Sequence, residues 1–422
     1  MTESSTDRGR ASFNWALSHM PALRLAAEHV KRKSRGTRIF HGLTLAACLH
    51  VSKETSVLIH ALHELGLEVK LVAANPLSSQ PDIVSFLSSE GIEVRAHRNE
   101  TAQEYEEEIR EAAKSGPDLI VDDGGELHAA YASLEIGTCF GGTDETTSGT
   151  QRLASLEEAG MLKYPVIPVN DAKTKHLFDN RYGTGQSALD GLIRSTGLLL
   201  AGKRIVVAGY GWVGKGVAEK SRGMGAKVTV TEVDPIRALE AMLDGYDVCP
   251  MMEAVPSADI ILTCTGQIDV LSSKHLSSLK DGVILGNVGH FDQEIEVKAL
   301  FRRAESLEQV RDGIARVGIR DNGKIKSVYL VSQGRVINLA AAEGHPPEVM
   351  QLSFSNQLLS LDYLVRNSSE LKKMKKKLLP FPKEIDELVS EFALRAFNLK
   401  IDSLTARQRK YERSFNRLVS GR

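Results

Sequence analysis

Short runs of apolar residues alternate with stretches of helical periodicity along most of the chain. The apolar runs of the first half predict strands at residues 37–46, 68–73, 93–96, 118–121 and 166–170. Those of the second half predict strands at residues 204–208, 227–231, 260–264 and 282–285. Helical patterns lie between the strands, for example at residues 55–65 and 102–114. Because this alternation is typical of parallel α/β structure, we predict two α/β blocks joined by a helix at residues 187–200.

The pattern changes after residue 344, where helical patterns replace the apolar runs. Residues 348–366 predict one long helix. The next stretch, residues 370–377, is rich in lysine. A lysine run is usually the solvated face of a helix, which is the interpretation we favour, and a site for an anion or a partner is the alternative.

The composition limits the classes of protein to consider. The 422 residues are too many for one ordinary core, so two domains are expected. With 42% hydrophobic residues, 25% charged residues and a net charge of −1, nothing indicates a nucleic-acid or membrane partner. No apolar run reaches the ~18 residues of a spanning helix. The polar start of the chain is not expected to be a secretory signal.

The cysteines suggest a reducing environment. Cys48, Cys139, Cys249 and Cys264 form no C-x-x-C pair, and each lies among small or apolar residues. We therefore expect buried free thiols, no metal site and a cytoplasmic location, with a cysteine nucleophile as the alternative.

A glycine motif in the second half predicts a dinucleotide site. The G-x-G-x-x-G segment consists of Gly209, Tyr210, Gly211, Trp212, Val213 and Gly214. A strand precedes it, a helix follows it, and the acid Glu232 lies about 20 residues on, as in Rossmann units. The helix N-terminus would bind a pyrophosphate, and Glu232 would accept from ribose hydroxyls. Since a carboxylate would repel a 2′-phosphate, NAD is favoured over NADP, although nearby Arg237 weakens that preference slightly.

Polar residues at the ends of predicted strands suggest chemistry beside that cofactor. Asp122 and Asp123 follow the strand at residues 118–121, where parallel sheets bind ligands, or else they cap a helix in a turn. Lys175 and Asp179 are four residues apart and would share one helix face. They would form either a surface ion pair or a lysine held for proton transfer.

Two histidines and a polar loop complete the candidates. His50 and His290 each end a predicted strand; lone histidines are more often structural, but two at equivalent strand ends are less easily dismissed. The loop at residues 141–147 would contact the cofactor or simply cap a helix. From these residues alone we predict a two-domain α/β enzyme that uses NAD in the cleft between its domains, a dehydrogenase by default.

Six segments, in order around the glycine motif, are distinctive. They are CLHVSKET (48–55), VDDGGEL (121–127), DETTSG (144–149), VNDAKTKHLFDNRYG (169–183), GNVGHFDQEI (286–295) and INLAAAEGHP (337–346). Together they resemble the S-adenosyl-L-homocysteine hydrolase (adenosylhomocysteinase) family from residue 15 to residue 411. The resemblance implies an α/β fold of two Rossmann-like domains plus a small C-terminal tail.

The same resemblance implies how the chain is divided and assembled. The substrate-binding domain would comprise residues 1–179 and 345–395, and the NAD-binding domain residues 180–344. Residues 396–422 would form a C-terminal tail that contacts another subunit of a homotetramer.

The implied reaction is the reversible hydrolysis of S-adenosyl-L-homocysteine to adenosine and L-homocysteine. Bound NAD would transiently oxidise the 3′-hydroxyl, which acidifies the neighbouring 4′ carbon–hydrogen bond and permits elimination of homocysteine. Water would then add and the hydride would return, so NAD should stay bound. Hydrolysis of S-inosyl-L-homocysteine is the nearest alternative. A net NAD-dependent dehydrogenase and a non-catalytic regulatory relative are alternatives of different classes.

The resemblance also implies roles for individual residues. Lys175 and Asp179 would hold the 2′ and 3′ hydroxyls, with Lys175 assisting the 3′ proton transfer. Asp123 would be the acid or base near the 4′ carbon, and His50 and His290 would serve the leaving sulfur and the attacking water. The other catalytic positions are Glu145 at the ribose and Asn180 near the nicotinamide, and the other substrate positions are Ser52, Glu54 and His345. The cofactor positions are Thr146, Thr147, Ser148, Asn180, Gly209, Gly211, Trp212, Val213, Gly214, Glu232, Arg237, Thr265, Val288, Gly289, His290 and Asn338.

Four departures from the animal enzymes leave questions open. Trp212 replaces an aspartate in the loop, Arg237 replaces an asparagine that faces the cofactor ribose, and Glu343 replaces a methionine beside the adenine pocket. The terminal Lys-x-x-x-Tyr segment that clamps NAD in a neighbouring subunit is expected to be missing, as in microbial members. The tightness of NAD binding and the choice of base therefore stay open.

Overall fold

The structure, a computed structural model, describes residues 4–34, 39–134, 136, 139–289, 292–321 and 323–413. The strands are β1 (Thr44–Leu49), β2 (Glu68–Ala73), β3 (Glu93–Arg95), β4 (Leu119–Asp122), β5 (Gly141–Asp144), β6 (Val166–Pro168), β7 (Arg204–Ala208), β8 (Lys227–Thr231), β9 (Asp247–Val248), β10 (Ile260–Thr263), β11 (Val283–Asn287), β12 (Ala304–Arg311), β13 (Ile314–Asp321) and β14 (Lys324–Val331). The α-helices are α1 (Ser5–Ser18), α2 (Pro21–Lys33), α3 (Lys53–Glu64), α4 (Pro81–Ser89), α5 (Ala102–Lys114), α6 (Glu126–Ser133), α7 (Thr147–Glu158), α8 (Lys173–Lys175), α9 (Thr184–Thr196), α10 (Trp212–Gly223), α11 (Pro235–Leu243), α12 (Met251–Ala254), α13 (Val297–Arg302), α14 (Ile337–Ala340), α15 (Pro347–Arg366), α16 (Ser368–Leu371), α17 (Lys383–Ala396) and α18 (Ala406–Glu412).

The first sheet has the strand order β3-β2-β1-β4-β5-β6, and its strand pairs are parallel. Leu45 and Ala47 of β1 belong to the apolar cluster on one face, which α1–α4, α15 and α17 cover. Ala46 and Cys48 belong to the cluster on the other face, which α5–α7 cover. Because both faces are buried, the central strands β1 and β4 are nearly continuous apolar runs rather than alternating ones.

The second sheet has the strand order β12-β13-β14-β11-β10-β7-β8-β9. Its pairs from β14 through β11, β10, β7 and β8 to β9 are parallel, as expected of a Rossmann unit. An antiparallel hairpin, β12 and β13, extends this sheet beyond β14 and was not predicted from the sequence. Seven of the eight residues of β12 are exposed, so no apolar pattern marked that strand.

Two predicted elements are wrong at their boundaries. Residues 39–42 form turns and β1 begins at Thr44, so the first strand starts later than the apolar pattern indicated. The predicted connecting helix is α9, which ends at Thr196 because Gly197 adopts φ +66 and closes the helix in the left-handed region.

The prediction of a helix face for the lysine run is also wrong. The helix there ends at Leu371, and the following residues to 376 are exposed without helical structure. Leu378 then forms an isolated parallel bridge with Val166, so the end of the run returns to the edge of the first sheet. The lysines are solvated, but on a connection rather than on a helix.

The chain passes between the two sheets twice. It leaves the first sheet through a π-helix, His176–Gly183, and α9, which packs against α10 of the second sheet. It returns through residues 341–346 to α15, which packs on α2 and β5. Among the described helices, none combines the length and the apolar character needed to cross a membrane.

Candidate active site

A cleft of about 1190 Å³ lies where the carboxyl ends of the two sheets face each other. Asp123 follows β4 and Glu145 follows β5 on one side, while Gly209 follows β7 and Glu232 follows β8 on the other. Open α/β sheets bind ligands at these strand ends. The cleft wall includes every site residue predicted from the sequence except Gly214, which is buried behind the glycine loop, and His290, which lies outside the described residues.

A buried lysine organises the side of the cleft formed by the first sheet. Lys175 lies at the start of the π-helix, whose wide turns bring residues four and five positions on beside it. Its Nζ lies 2.9 Å from Asp179 Oδ2, 2.8 Å from Asn180 Oδ1 and 3.7 Å from Glu145 Oε1. The side chains of Lys175 and Asp179 are each only 4% exposed, so they do not form a surface ion pair.

The opposite charges of this cluster stabilise the ionised forms of Lys175 and Asp179. Burial alone would lower the pKa of Lys175, but the carboxylates of Asp179 and Glu145 outweigh it and raise that pKa. Burial would raise the pKa of Asp179, but His345 and Lys175 hold it well below its usual range. Burial raises the pKa of Glu145 to about 7 in spite of the nearby Lys175. Lys175 is therefore an ammonium and Asp179 a carboxylate at neutral pH.

His345 connects this cluster to the side of the cleft formed by the second sheet. Its Nδ1 lies 2.6 Å from Asp179 Oδ1, and its Nε2 lies 2.9 Å from Asn338 Nδ2 and 3.3 Å from Thr184 Oγ1. Burial opposes a charge on this ring, but Asp179 outweighs it and raises the pKa of His345. Asn338 Oδ1 is buried without a hydrogen-bond partner among the described residues, so it can accept from a ligand in the cleft.

A histidine and an acid face each other across the ends of β1 and β4. His50 Nε2 lies 3.5 Å from Asp123 Oδ2, and the Ser78 hydroxyl lies 2.8 Å from His50 Nδ1. Both candidate side chains are largely buried at the cleft wall. The arrangement places two groups that can donate or accept a proton side by side at the cleft wall.

The glycine loop has the geometry of a dinucleotide cradle. Gly209 adopts φ +96, and a Cβ on Gly214 would lie 1.9 Å from Gly209 O, so strand and helix touch there. A Cβ on Gly211 would meet only Arg237 at 3.7 Å, which leaves its backbone open to the cleft. Glu232 fixes the loop by accepting from the Tyr210 backbone N–H at 2.6 Å. The open backbone, the helix N-terminus of α10 and the orphan Asn338 oxygen fit a bound NAD.

Comparisons with known proteins agree with this geometry. Residues 2–136 match the family model described as S-adenosyl-L-homocysteine hydrolase, and residues 180–344 match the model of its NAD binding domain. An adenosylhomocysteinase of Sulfurisphaera tokodaii is 47% identical over 409 residues, which cover 97% of this chain and 96% of that protein. The chain belongs to the S-adenosyl-L-homocysteine hydrolase family.

Other members of the family have two different names. An adenosylhomocysteinase of Aquifex aeolicus is 46% identical and covers 97% of this chain and 96% of its own length. An S-inosyl-L-homocysteine hydrolase of Methanocaldococcus jannaschii is 44% identical and covers 96% of this chain and 95% of its own length. Family membership therefore makes the chain an NAD-using hydrolase enzyme, and the predictions of family, fold class and cofactor are confirmed. The overall sequence identities are similar for the relatives named after the adenosyl substrate and for the relative named after the inosyl substrate.

Trp212 and Arg237, two of the departures named in the sequence analysis, lie at the edge of the cofactor loop. Trp212 stacks on His176 with ring centroids 5.2 Å apart, and Lys215 Nζ lies 4.6 Å from the Trp212 ring centre. The indole therefore joins the π-helix to the start of α10. Arg237 lines the cleft on α11 and lies 3.8 Å from Asp234.

Glu343, the third departure, points to a lysine instead of into the hydrolase cleft. Its Oε2 lies 2.9 Å from Lys53 Nζ and its Oε1 lies 3.5 Å from Arg194. Lys53 Nζ also lies 3.2 Å from Glu54 Oε1, and Glu54 lines the cleft. Glu343 is thus linked to the cleft through Lys53 and Glu54.

Sequence reasoning missed the residues that hold Glu145. Ser353 donates to Glu145 Oε1, and Gln357 donates to Glu145 Oε2 at 2.5 Å. Both lie one turn apart on α15, which carries several fully buried polar side chains. Polar residues at i and i+4 inside an otherwise apolar helix were a signal that could have identified them.

Proposed function

We propose that the chain hydrolyses S-adenosyl-L-homocysteine reversibly to adenosine and L-homocysteine while NAD stays bound. The observation that carries the proposal is that the Lys175 cluster and the glycine loop line one cleft. NAD held there would supply reversible hydride transfer for the transient oxidation of the substrate ribose. The glycine loop would hold its pyrophosphate, Glu232 its ribose and Asn338 its carboxamide.

Lys175 would stabilise the substrate oxygen that loses its hydrogen. As an ammonium, it can donate a charge-assisted hydrogen bond to that oxygen as negative charge develops. Asp179 keeps Lys175 charged and in place, and both would bind the ribose hydroxyls. Glu145, held by α15, would accept a hydrogen bond from the same ribose and take the hydroxyl proton that is released as the hydride leaves. Asn180 would support Lys175 beside the nicotinamide.

Asp123 and His50 would manage protons on the other side of the ribose. Asp123 would remove and return the proton of the 4′ carbon, and His50 would protonate the leaving sulfur. Ser78 holds the ring of His50 in orientation. His290, which lies outside the described residues, would share the activation of water with His50.

The reaction test uses purified protein loaded with NAD. Substrate should disappear with matching formation of adenosine and homocysteine, measured by chromatography and by thiol titration, and NADH should not accumulate. Stoichiometric NADH would instead indicate a net dehydrogenase. Absence of product and of cofactor reduction would indicate a non-catalytic relative and would refute the proposal.

We further propose that adenine is the preferred base. Glu54 offers a buried carboxylate at the cleft wall, and a carboxylate can accept from the exocyclic amine of adenine but not from the oxygen of hypoxanthine. Burial raises the pKa of Glu54, and Lys53 opposes that shift. The Glu343–Lys53 pair therefore supports the ionised, accepting form of Glu54.

Competition between the two substrates tests this preference. The ratio of kcat/KM for S-adenosyl- and S-inosyl-L-homocysteine should favour the adenosyl compound, and Glu54→Gln should reduce that ratio. Glu64→Gln, at the exposed end of the same helix, is the matched control. A wild-type ratio in favour of the inosyl compound would support the alternative substrate.

The domain boundaries and assembly are also proposals. Residues 1–179 with 345–395 would bind substrate, residues 180–344 would bind NAD, and the two crossings between them would serve as hinges. Exposed apolar side chains on α11 support a homotetramer, since Ile236 is 75% and Leu243 is 79% exposed in one chain. Light scattering should give the mass of four chains, and Leu243→Glu should lower it; a monomeric wild type would contradict the assembly.

We propose a cytoplasmic location. All four cysteines are free thiols, as a reducing compartment would keep them. Cell fractionation with antibody detection tests the location, and recovery outside the cytoplasmic fraction would contradict it.

A further inference from the structure

Two aspartates lie side by side beneath the proposed active site. Asp122 ends β4 and Asp144 ends β5, and the two residues are direct partners in the register of the parallel pair. Both are fully buried. An oxygen of each and a ring nitrogen of His128 all lie within 4.8 Å of one another. Two carboxyl groups are thus adjacent in an apolar interior.

The hydrogen bonds of the two aspartates are unequal. Asp122 Oδ1 accepts the Asp123 backbone N–H at 2.9 Å, and its Oδ2 accepts the His128 backbone N–H at 2.8 Å. Asp144 Oδ1 accepts the Thr146 backbone N–H at 2.9 Å. Asp144 Oδ2 is buried and receives no hydrogen bond from any described residue. An oxygen without a donor, next to another carboxylate, is where a proton would reside.

No described cation neutralises the pair. The titratable groups that face it are Cys48 on β1, Tyr105 on α5, Asp123 after β4, Glu126 and His128 on α6, Glu145 after β5, and Tyr164. Most of these groups are acids, and none of the described lysines or arginines forms an ion pair with either aspartate. Two buried like charges this close cannot both ionise readily. Burial raises the pKa of Asp122 to about 7 and raises that of Asp144 well above its usual range.

His128 does not supply the missing charge. Its Nδ1 lies 2.8 Å from Tyr164 Oη, and its Nε2 lies 3.1 Å from the carbonyl oxygen of Thr143. Nε2 therefore donates and Nδ1 accepts, which is the neutral ring, and burial lowers the pKa of His128 to about 4. Because both nitrogens are engaged, the ring does not offer a free ligand to a metal ion.

We propose that Asp122 and Asp144 share one proton, carried on Asp144 Oδ2, and that this pair positions the loops bearing Asp123 and Glu145. The positioning role rests on the proposed function; the shared proton does not. Asp122 accepts a hydrogen bond from the backbone of Asp123, and Asp144 immediately precedes Glu145. The shared proton would therefore hold together the strand ends from which the two loops begin. Loss of the proton would place two negative charges at the ends of adjacent strands and push these loops apart.

The stability of the folded protein should depend on pH through this shared proton. The protonated acid contributes stability that is fully present below the unfolded-state pKa of about 3.9. That stability is lost as pH rises through the folded-state pKa, which burial raises to about 7 for Asp122 and well above the usual range for Asp144. Asn imitates the protonated acid without titrating, so Asp144→Asn should not lose this stability at alkaline pH.

The test measures thermal unfolding of the NAD-loaded protein from pH 6 to pH 9. The unfolding midpoint of Asp144→Asn minus that of the wild type should increase as the pH is raised. The same difference for a second variant, Asp122→Asn, should also increase with pH. Asp362→Asn is the control, because Asp362 is also buried but is paired with Arg366 at 2.8 Å. The unfolding midpoint of Asp362→Asn should lie below that of the wild type by the same amount at every pH in this range.

A second measurement detects the proton itself. The infrared band of a protonated carboxylic acid should be present in the wild type at neutral pH and reduced in Asp144→Asn. The alkaline limit of kcat/KM should move up by about one pH unit or more in this variant, because Asn does not ionise and the two strand ends therefore do not repel each other at alkaline pH. An unchanged infrared band, or a pH-independent midpoint difference as in the control, would overturn the proposal. If wild type lacked hydrolase activity, the proposed function would fail while the infrared and unfolding results still decided the shared proton.

Discussion

Lys175 has little exposure to solvent and is surrounded by oxygen atoms. Asp179 and Asn180 contact its ammonium at 2.9 and 2.8 Å, and Glu145 lies at 3.7 Å. A buried cation is stable only when such partners replace water. The partners also hold the ammonium at a fixed position in the cleft wall, so it need not reorganise when charge develops on a substrate oxygen.

Lys175→Met should abolish most of the activity without removing the cofactor. The variant keeps most of the length of the side chain but loses the charge, and we expect kcat to fall about 10²-fold or more. NAD content, measured after denaturing the protein, should be retained. Lys173→Met is the matched control, since Lys173 lies on the same short helix with its side chain exposed. Equal losses in both variants would contradict a specific role for Lys175.

Glu145 should set the acidic side of the pH profile. Its pKa is raised to about 7 by burial, so the carboxylate that accepts from ribose forms only as pH rises through 7. We therefore expect kcat/KM to increase with pH in this range and Glu145→Gln to remove that increase. The protonated form stabilises the fold fully below the unfolded-state pKa of about 4.3, and this contribution is lost as pH rises to the folded value. If kcat/KM of Glu145→Gln still increased with pH as in the wild type, the group that ionises near pH 7 would not be Glu145.

At the scale of elements, the site depends on how closely β7 and α10 approach each other. The backbone of Gly214 touches the carbonyl of Gly209, which leaves no room for a side chain. The π-helix has the equivalent role on the other side, because its wide turns, closed by i→i+5 hydrogen bonds, place Lys175 beside Asn180. An ordinary α-helix would direct Asn180 away from Lys175.

Gly214→Ala should weaken NAD binding and destabilise the protein. Its methyl group would lie 1.9 Å from Gly209 O, so the loop and helix must separate. Overpacking of this kind costs about 1–3 kcal/mol. Gly223→Ala, near the end of the same helix, meets no atom within 4 Å and should instead stabilise by about 0.5–1 kcal/mol. NAD content and the unfolding midpoint of both variants check this, and normal NAD content in Gly214→Ala would contradict it.

At the scale of the whole molecule, contacts across the cleft couple the two sheets. His345 lies on the returning crossing and contacts Asp179 at 2.6 Å and Asn338 at 2.9 Å. Glu343, on the same crossing, pairs with Lys53 at the start of α3. A cofactor bound beside Asn338 therefore acts on the groups that would hold the substrate.

Removal of NAD should lower the unfolding midpoint, and its return should restore it. A ligand at a hundredfold excess over its Kd stabilises the folded state by about 2.7 kcal/mol. NADP is the control, and it should stabilise less at equal concentration because the carboxylate of Glu232 would face the 2′-phosphate. Equal stabilisation by the two dinucleotides would indicate that Arg237 outweighs Glu232.

Much of the site was predictable because its residues follow strands. Asp123 and the glycine loop were located by local pattern, since parallel strands place their carboxyl ends at one edge. Glu145 was located by the family resemblance, because residues 141–144, which form β5, were expected to belong to a loop. Ser353 and Gln357 were not, because they come from a helix more than 200 residues from Glu145 in sequence. The hairpin β12–β13 was missed because its first strand is exposed and lacks apolar periodicity.

The sequence by itself determined the α/β class, the NAD loop and the family resemblance, because these depend on short-range order: apolar runs, glycine spacing and contiguous motifs. The tertiary structure decided what depends on burial and long-range contact. It turned Lys175 and Asp179 from a possible surface pair into a buried charge cluster. It also brought Asp122 and Asp144 side by side without a cation, which no spacing in the sequence indicates. The physical reason is that ionisation depends on surroundings supplied by distant segments, whereas strand and loop patterns are local.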